Sequence, residues 1–280
     1  MTGPGAVVRK QPAGPGTDTL KYMRIARFVV DNDPMYGIVE GESGSEIVTV
    51  IKGDPFFNGI ERTAEKHPLD DVRLVAPIIP RSKVIGVGRN FAEHARELGN
   101  EVPENPLMFL KPNTSVIGPN EPIVLPEFSE EISYEAELCV VIGRICKDVP
   151  EDRVEEVIFG YTCGNDLTAR DVQAGDGQWA RAKGFDTSAP LGPWIETELD
   201  PDDVYIKGWL NGELRQDGSS NQMVRSVREL VSIVSHAFTL LPGDVIMTGT
   251  PAGVDLLQAG DRYDVEIEGI GRLSNPVVRR

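Results

Sequence analysis

The stretch Tyr134-Glu135-Ala136-Glu137-Leu138-Cys139-Val140-Val141-Ile142-Gly143 sets two carboxylates in a run that otherwise has the make-up of a buried strand. Val140, Val141 and Ile142 favour extended backbone, and Gly143 ends it. Successive side chains on a strand point to opposite faces, so Glu135 and Glu137 share one face. Two like charges on one face repel each other and resist burial unless something positive offsets them. A divalent cation is the simplest such group; the ordinary alternative is a solvated strand edge.

A third donor is available in Asp166, at the end of the strand-like run 158–166. Three oxygen ligands suit a hard cation such as Mg²⁺, Mn²⁺ or Ca²⁺ and disfavour Zn²⁺ or Cu. Arg170 and Gln173 follow in Asp166-Leu167-Thr168-Ala169-Arg170-Asp171-Val172-Gln173 and add groups that bind anions or carbonyls.

Around this core, 280 residues allow one large or two modest domains. A net charge of −16 argues against nucleic-acid binding. No apolar run approaches the roughly 20 residues of a membrane span. Cys139, Cys146 and Cys163 are odd in number and form no CxxC pair, which fits a reduced, cytoplasmic protein.

The organisation reads as a flexible tail over residues 1–22, a small β-rich module over 23–78, and a catalytic domain over 79–280. Structure-forming sequence starts at Met23, and the natural start is expected there. In the module, strands are expected over 23–30, 36–40 and 45–51, followed by a polar stretch through His67-Pro68. In the larger part, a strand at residues 83–88 breaks into a Gly turn. A short helix over 90–98 is closed by Gly99-Asn100. Asp148 and Pro150 open a helix to about Phe159. A second helix starts at Ser226, which has capping-box spacing to Glu229. Its apolar stripe is Val227, Leu230, Val231, Val234, Ala237 and Phe238. Strands follow at 245–250 and 263–268, with a last run to Val278. The fold class is α+β and β-rich, a roll or barrel with inserted helices.

Of three histidines, His236 faces away from its helix's apolar stripe and His67 lies before Pro68 in a polar loop. His94 remains, three residues before Glu97, so the two are neighbours on a helix. A carboxylate beside an imidazole orients it and raises its basicity, as a general base needs. The same spacing also occurs in inconsequential surface pairs. Lys183, among aromatic and glycine neighbours, reads either as a partly buried lysine that binds a carboxylate or moves a proton, or as a solvated one. Thr250, in Thr248-Gly249-Thr250-Pro251, is a hydrogen-bond donor for a substrate carboxylate or simply part of a turn.

Taken in order, these residues resemble the fumarylacetoacetate hydrolase family. The motifs are Gly88-Arg89-Asn90-Phe91-x-x-His94-x-x-Glu97, Phe109-Leu110-Lys111-Pro112, Glu135-x-Glu137-Leu138, Asp166-x-Thr168-Ala169-Arg170-Asp171-x-Gln173, Ala182-Lys183-x-Phe185-Asp186, Leu240-x-Pro242-Gly243-Asp244 and Thr248-Gly249-Thr250-Pro251. Each is weak alone, but the ordered set over about residues 83–280 is specific. The resemblance implies a mixed β-sandwich roll, usually dimeric, with one Mg²⁺ or Mn²⁺ per subunit on Glu135, Glu137 and Asp166. It implies a water-activating dyad of His94 and Glu97 on a lid, an active-site Lys183, and a substrate site lined by Arg170, Gln173 and Thr250, with Lys111 as a further substrate-binding candidate.

The loop before His94, Gly88-Arg89-Asn90, lacks the extra carboxylate that some members carry, which argues against fumarylacetoacetate as substrate. The N-terminal module resembles that of 2-hydroxyhepta-2,4-diene-1,7-dioate isomerases and 5-oxopent-3-ene-1,2,5-tricarboxylate decarboxylases. The expected function is therefore isomerisation or decarboxylation of small 2-oxo or 2-hydroxydienoic acids through a metal-bound enolate, in catabolism of aromatic compounds. An acylpyruvate or fumarylacetoacetate-type C–C hydrolase, an oxaloacetate decarboxylase and a ligand-binding protein on a decayed scaffold are the alternatives. Intact Glu135, Glu137, Asp166, His94 and Lys183 argue against decay.

Overall fold

The computed structural model describes residues 22–279; the expected tail over 1–22 thus lies, except for Tyr22, outside the described residues. The strand Ala136–Ile142 is fully buried and runs between two antiparallel neighbours, Ile158–Asn165 and Val245–Met247. The solvated-edge alternative is thereby excluded. These strands belong to a mixed sheet whose main path continues on one side through the parallel pairing of Val245–Met247 with Val84–Gly88 and ends at Leu107–Lys111. On the other side it passes through Ala189–Glu196 into Arg24–Val29, Pro34–Glu40, Ile47–Ile51 and Arg62–Pro68. The N-terminal β module is thus a meander that extends the catalytic sheet, joined where Ile25 pairs with Ile195. It has a minor core of its own around Phe28, Val48 and Val50, and Ile25 and Ile38 pack with Val141, Leu191 and Met247 of the larger part.

A second sheet orders Glu213–Ser219, Tyr205–Leu210, Arg262–Ile267, Gly271–Arg279 and Ile123–Leu125. Alternation along the central strand separates the two sides as period-2 geometry requires. Leu138, Val140 and Ile142 join the core that holds Ile206, Tyr263 and Val265 of the second sheet, whereas Cys139 and Val141 face the other core. The helix Val227–Ala237 seals the first core with Val227, Leu230, Val231 and Val234. Its Ser226 hydroxyl caps the Glu229 amide, while the Glu229 carboxylate takes Arg225 at 2.5 Å. No helix among the described residues is long and apolar enough to cross a membrane.

Two local expectations differ from the structure, and one hairpin went unread. The helix expected from Pro150 to Phe159 is a short 3₁₀ segment, Glu151–Glu156, because Ile158 already enters a strand paired along the central one. His67 lies in the edge strand Arg62–Pro68 rather than a loop; mostly exposed side chains on both faces give that strand a polar sequence. The hairpin of Tyr205–Leu210 and Glu213–Ser219 was not anticipated, although its Asn211-Gly212 turn, with φ of 53° and 83°, carries the strongest short-range hairpin signal.

Candidate active site

The candidate site lies where the central strand begins. Glu135, Glu137 and Asp166 each turn a carboxylate oxygen to one point, all within 4.8 Å of one another, and all three are buried. Asp166 is carried there by the neighbouring strand, its amide held by Glu135 O at 2.9 Å, and Asn165 Oδ1 accepts from the Glu135 amide at 2.9 Å.

Three basic side chains offset the group. Lys183 Nζ donates to Glu135 Oε2 at 2.7 Å and to Asp166 Oδ2 at 2.6 Å. Arg170 Nη2 donates to Glu135 Oε1 at 2.5 Å. Lys111 Nζ, fully buried and not part of the cavity lining, donates to Asp166 Oδ1 at 2.5 Å. Glu137 is different. It accepts from the Gly249 amide at 2.7 Å and forms no ion pair among the described residues. Burial, and then Asp166 and Glu135 beside it, push its carboxyl well above the usual range. Glu135, by contrast, is buried yet held far below that range by Lys183 and Arg170. A buried carboxylate without a counter-charge, facing two others, is the environment a hard divalent cation satisfies, and the all-oxygen donor set matches Mg²⁺ or Mn²⁺. The residues therefore fit the ion.

His94 and Glu97 come from the short helix Ala92–Glu97, which follows the strand Val84–Gly88. Gly99 closes the helix with φ of 67°, its amide bonded to Arg96 O at 3.0 Å. His94 Nδ1 lies 3.3 Å from Glu97 Oε2, and Nε2 lies 3.9 Å from Glu135 Oε1. Glu97 is fixed in turn by the Gly253 amide, 3.0 Å from Oε1. Burial holds the imidazole below its ordinary pKa, against the opposing pull of Glu135 and Glu97, so the ring is neutral near pH 7.

A cavity of about 280 Å³ opens over these groups. His94, Glu135, Glu137, Arg170, Gln173, Lys183 and Thr250 line it; Asp166, Glu97 and Lys111 stand behind that lining. Gln173 Oε1 accepts from Arg170 Nη1 at 3.2 Å. The Thr250 hydroxyl donates to Ala136 O at 2.8 Å and accepts from Gln216 Nε2 at 2.7 Å, so its proton is committed to the backbone. The aromatic neighbour of Lys183 is Phe109, whose ring centre lies 4.9 Å from Nζ, with Trp179 packed edge-on against Phe109.

Sequence reasoning missed the Gly249 amide, Asn90 and Gln216. Asn90 Nδ2 donates to Thr248 O at 2.8 Å and to Arg225 O at 3.1 Å, tying the loop before His94 to the loop that carries Gly249. Gln216 Oε1 accepts from the Ala136 amide at 2.9 Å and from the Tyr263 hydroxyl at 2.6 Å, bracing the Glu-x-Glu backbone from behind. Asn90 and Gly249 sit inside quoted motifs; nothing local marks Gln216.

Fold and site together define a β-rich enzyme scaffold with an acidic trio suited to a divalent metal. The chain belongs to the fumarylacetoacetate hydrolase family: residues 83–278 match the fumarylacetoacetate hydrolase C-terminal family, and residues 23–77 match the Rv2993c-like N-terminal family. Protein Rv2993c of Mycobacterium tuberculosis is 46% identical over 268 residues, covering 92% of this chain and 99% of that protein. A solved structure described as 5-carboxymethyl-2-hydroxymuconate delta-isomerase from Mycobacterium smegmatis is 48% identical, with a TM-score of 0.86 over 92% of this chain and 100% of that one. Another, 2-hydroxyhepta-2,4-diene-1,7-dioate isomerase from Mycobacterium marinum, is 44% identical with a TM-score of 0.85, covering 92% and 99%. Fumarylpyruvate hydrolase from Pseudomonas aeruginosa, solved with Mn²⁺ and pyruvate, is 35% identical with a TM-score of 0.69, covering 78% and 93%.

Proposed function

We propose that this enzyme uses Mg²⁺ or Mn²⁺ to act on small anionic 2-oxo or 2-hydroxydienoic acids, relocating a proton (isomerisation) or releasing CO₂. The observation that carries this reading is the carboxylate trio against its three cations. Glu135, Glu137 and Asp166 balance Lys111, Lys183 and Arg170 in formal charge. A bound divalent ion leaves the buried site positive, and an anionic substrate restores neutrality.

The ion, when bound on the trio, supplies Lewis-acid polarisation of a 2-oxo group. The remaining roles fall to the chain's own residues. Lys183 pairs with Glu135 and Asp166, and Arg170 with Glu135, so these donors are held in place before the ion arrives. His94, neutral, with Nδ1–H directed at Glu97, presents Nε2 as the proton acceptor toward the cavity. Glu97, tied to Gly253, stabilises the imidazolium when it forms. The same Nε2 then returns the proton to carbon, which completes an isomerisation. Val87, Leu98 and Trp179 give the cavity an apolar wall suited to an unsaturated chain.

A second reading, C–C hydrolysis, has one specific observation in its favour. The His94–Glu97 pair has the build of a water-activating dyad, and the Pseudomonas aeruginosa relative is described as a hydrolase. A panel of 2-oxo and 2-hydroxydienoic acids with Mg²⁺ and with Mn²⁺, products resolved by mass spectrometry, separates the two. Unchanged mass or loss of CO₂ is expected. Two fragments with water added would establish hydrolysis instead, and no turnover of any member would remove the 2-oxo acid reading.

A further inference from the structure

We propose that Arg89 selects dianionic substrates by receiving a second carboxylate at the end of the molecule remote from the 2-oxo group; this rests on the 2-oxo acid reading above. Three basic side chains line the cavity, Arg89, Arg170 and Lys183. Two are already committed, Arg170 to Glu135 and Lys183 to Glu135 and Asp166. Arg89 alone of the three has no hydrogen bond or ion pair among the described residues. It is half-buried, so water does not fully screen it.

The backbone holds it there against its own preference. Arg89 has φ of 58°, a left-handed conformation unfavourable for a residue with a long side chain, and among the non-glycine residues of positive φ it is the one in the cavity wall. The next residue is pinned through both its carbonyl and its side chain: the Val224 amide donates to Asn90 O at 2.7 Å, and the Arg225 amide donates to Asn90 Oδ1 at 2.9 Å. On the other side, a Cβ on Gly88 would lie 3.1 Å from the Trp179 ring, so the loop is seated closely on that wall. An unpaired guanidinium on a fixed, strained loop, beside an apolar wall that leads to the carboxylate trio, is complementary to a molecule with an anion at each end. Guanidinium pairs with carboxylate through two parallel hydrogen bonds, a geometry that lysine cannot supply.

The test compares oxaloacetate with its 4-ethyl ester, which differ in the distal charge, on the parent protein, Arg89→Ala and Arg89→Lys with Mn²⁺. Turnover and calorimetric binding are both read. Arg89→Ala is expected to lower kcat/KM and affinity for the diacid about tenfold to a hundredfold while leaving the ester within about threefold, and Arg89→Lys recovers part of the loss. Equal losses on both compounds would overturn the role of Arg89. Binding decides this even if the parent protein turns over neither compound, an outcome that would count against the proposed reaction alone. Failure of the parent to bind either compound would overturn both.

Discussion

The Gly249 amide donates to Glu137 Oε2 at 2.7 Å, and this is the one polar contact of the Glu137 side chain among the described residues. A turn of the chain more than a hundred positions away thus fixes the carboxylate that has no counter-ion. The least compensated charge of the trio is thus held by a backbone amide alone.

Glu137→Gln should therefore raise the stability of the metal-free protein while removing metal binding. The amide keeps the shape and ends the repulsion from Asp166 and Glu135 that pushes the carboxyl up. A gain of about 1–2 kcal/mol is expected, by analogy with other buried charges replaced by neutral groups. Thermal denaturation with and without Mn²⁺ checks it. The parent should gain about 2.7 kcal/mol at a hundredfold excess of ion over Kd, and the variant should gain nothing. A variant that is less stable without metal yet still stabilised by it would refute the assignment.

Gly249→Ala should damage the metal centre without touching a ligand. Gly249 has φ of 101°, and an added Cβ would stand 2.8 Å from Asn90 Cβ. The turn must shift, carrying the amide away from Glu137. A stability loss of about 1–3 kcal/mol and a weaker Mn²⁺ affinity, by roughly tenfold, are expected from denaturant titration and calorimetry.

Lys111→Met should cost about 3 kcal/mol or more, because Asp166 Oδ1 then loses its fully buried partner. Asp166 keeps Lys183, so one Mn²⁺ per chain should still bind, more weakly. Urea denaturation followed by metal titration of the folded variant tests both parts.

The native thiols should be nearly inert. Burial pushes Cys139 and Cys163 up, and burial together with Asp244 pushes Cys146 up to about 11. At pH 7.5 the thiolate of Cys146 is then on the order of one part in three thousand, and its reaction with a thiol reagent should quicken about tenfold per pH unit between pH 7 and 10. A rate that is already maximal at pH 8 would contradict the burial of these groups.

Legibility from sequence followed the range of the interaction. Period-2 alternation put Glu135 and Glu137 on one face, and the structure puts them there. The spacing of His94 and Glu97 is local, and the two side chains meet. What could not be read depends on contacts between distant segments. Lys111 lies 55 positions from Asp166, and Gln216 lies 80 from Ala136. The joining of the N-terminal meander to Ala189–Glu196 spans more than 160 residues and leaves no periodic trace. The Asn211-Gly212 hairpin went unread, although its turn chemistry is local and carries the signal. The expected helix after Pro150 is cut to a 3₁₀ segment ending at Glu156, because Ile158 pairs with Ile142.

Proton exchange at C3 of a 2-oxo acid in D₂O, followed by NMR with and without Mn²⁺, tests the central claim most directly. Mn²⁺-dependent deuterium incorporation by the parent protein is expected, lost in Glu137→Gln and reduced about a hundredfold in His94→Ala. Incorporation at the uncatalysed rate in the presence of Mn²⁺, or equal incorporation by the parent and Glu137→Gln, would contradict it.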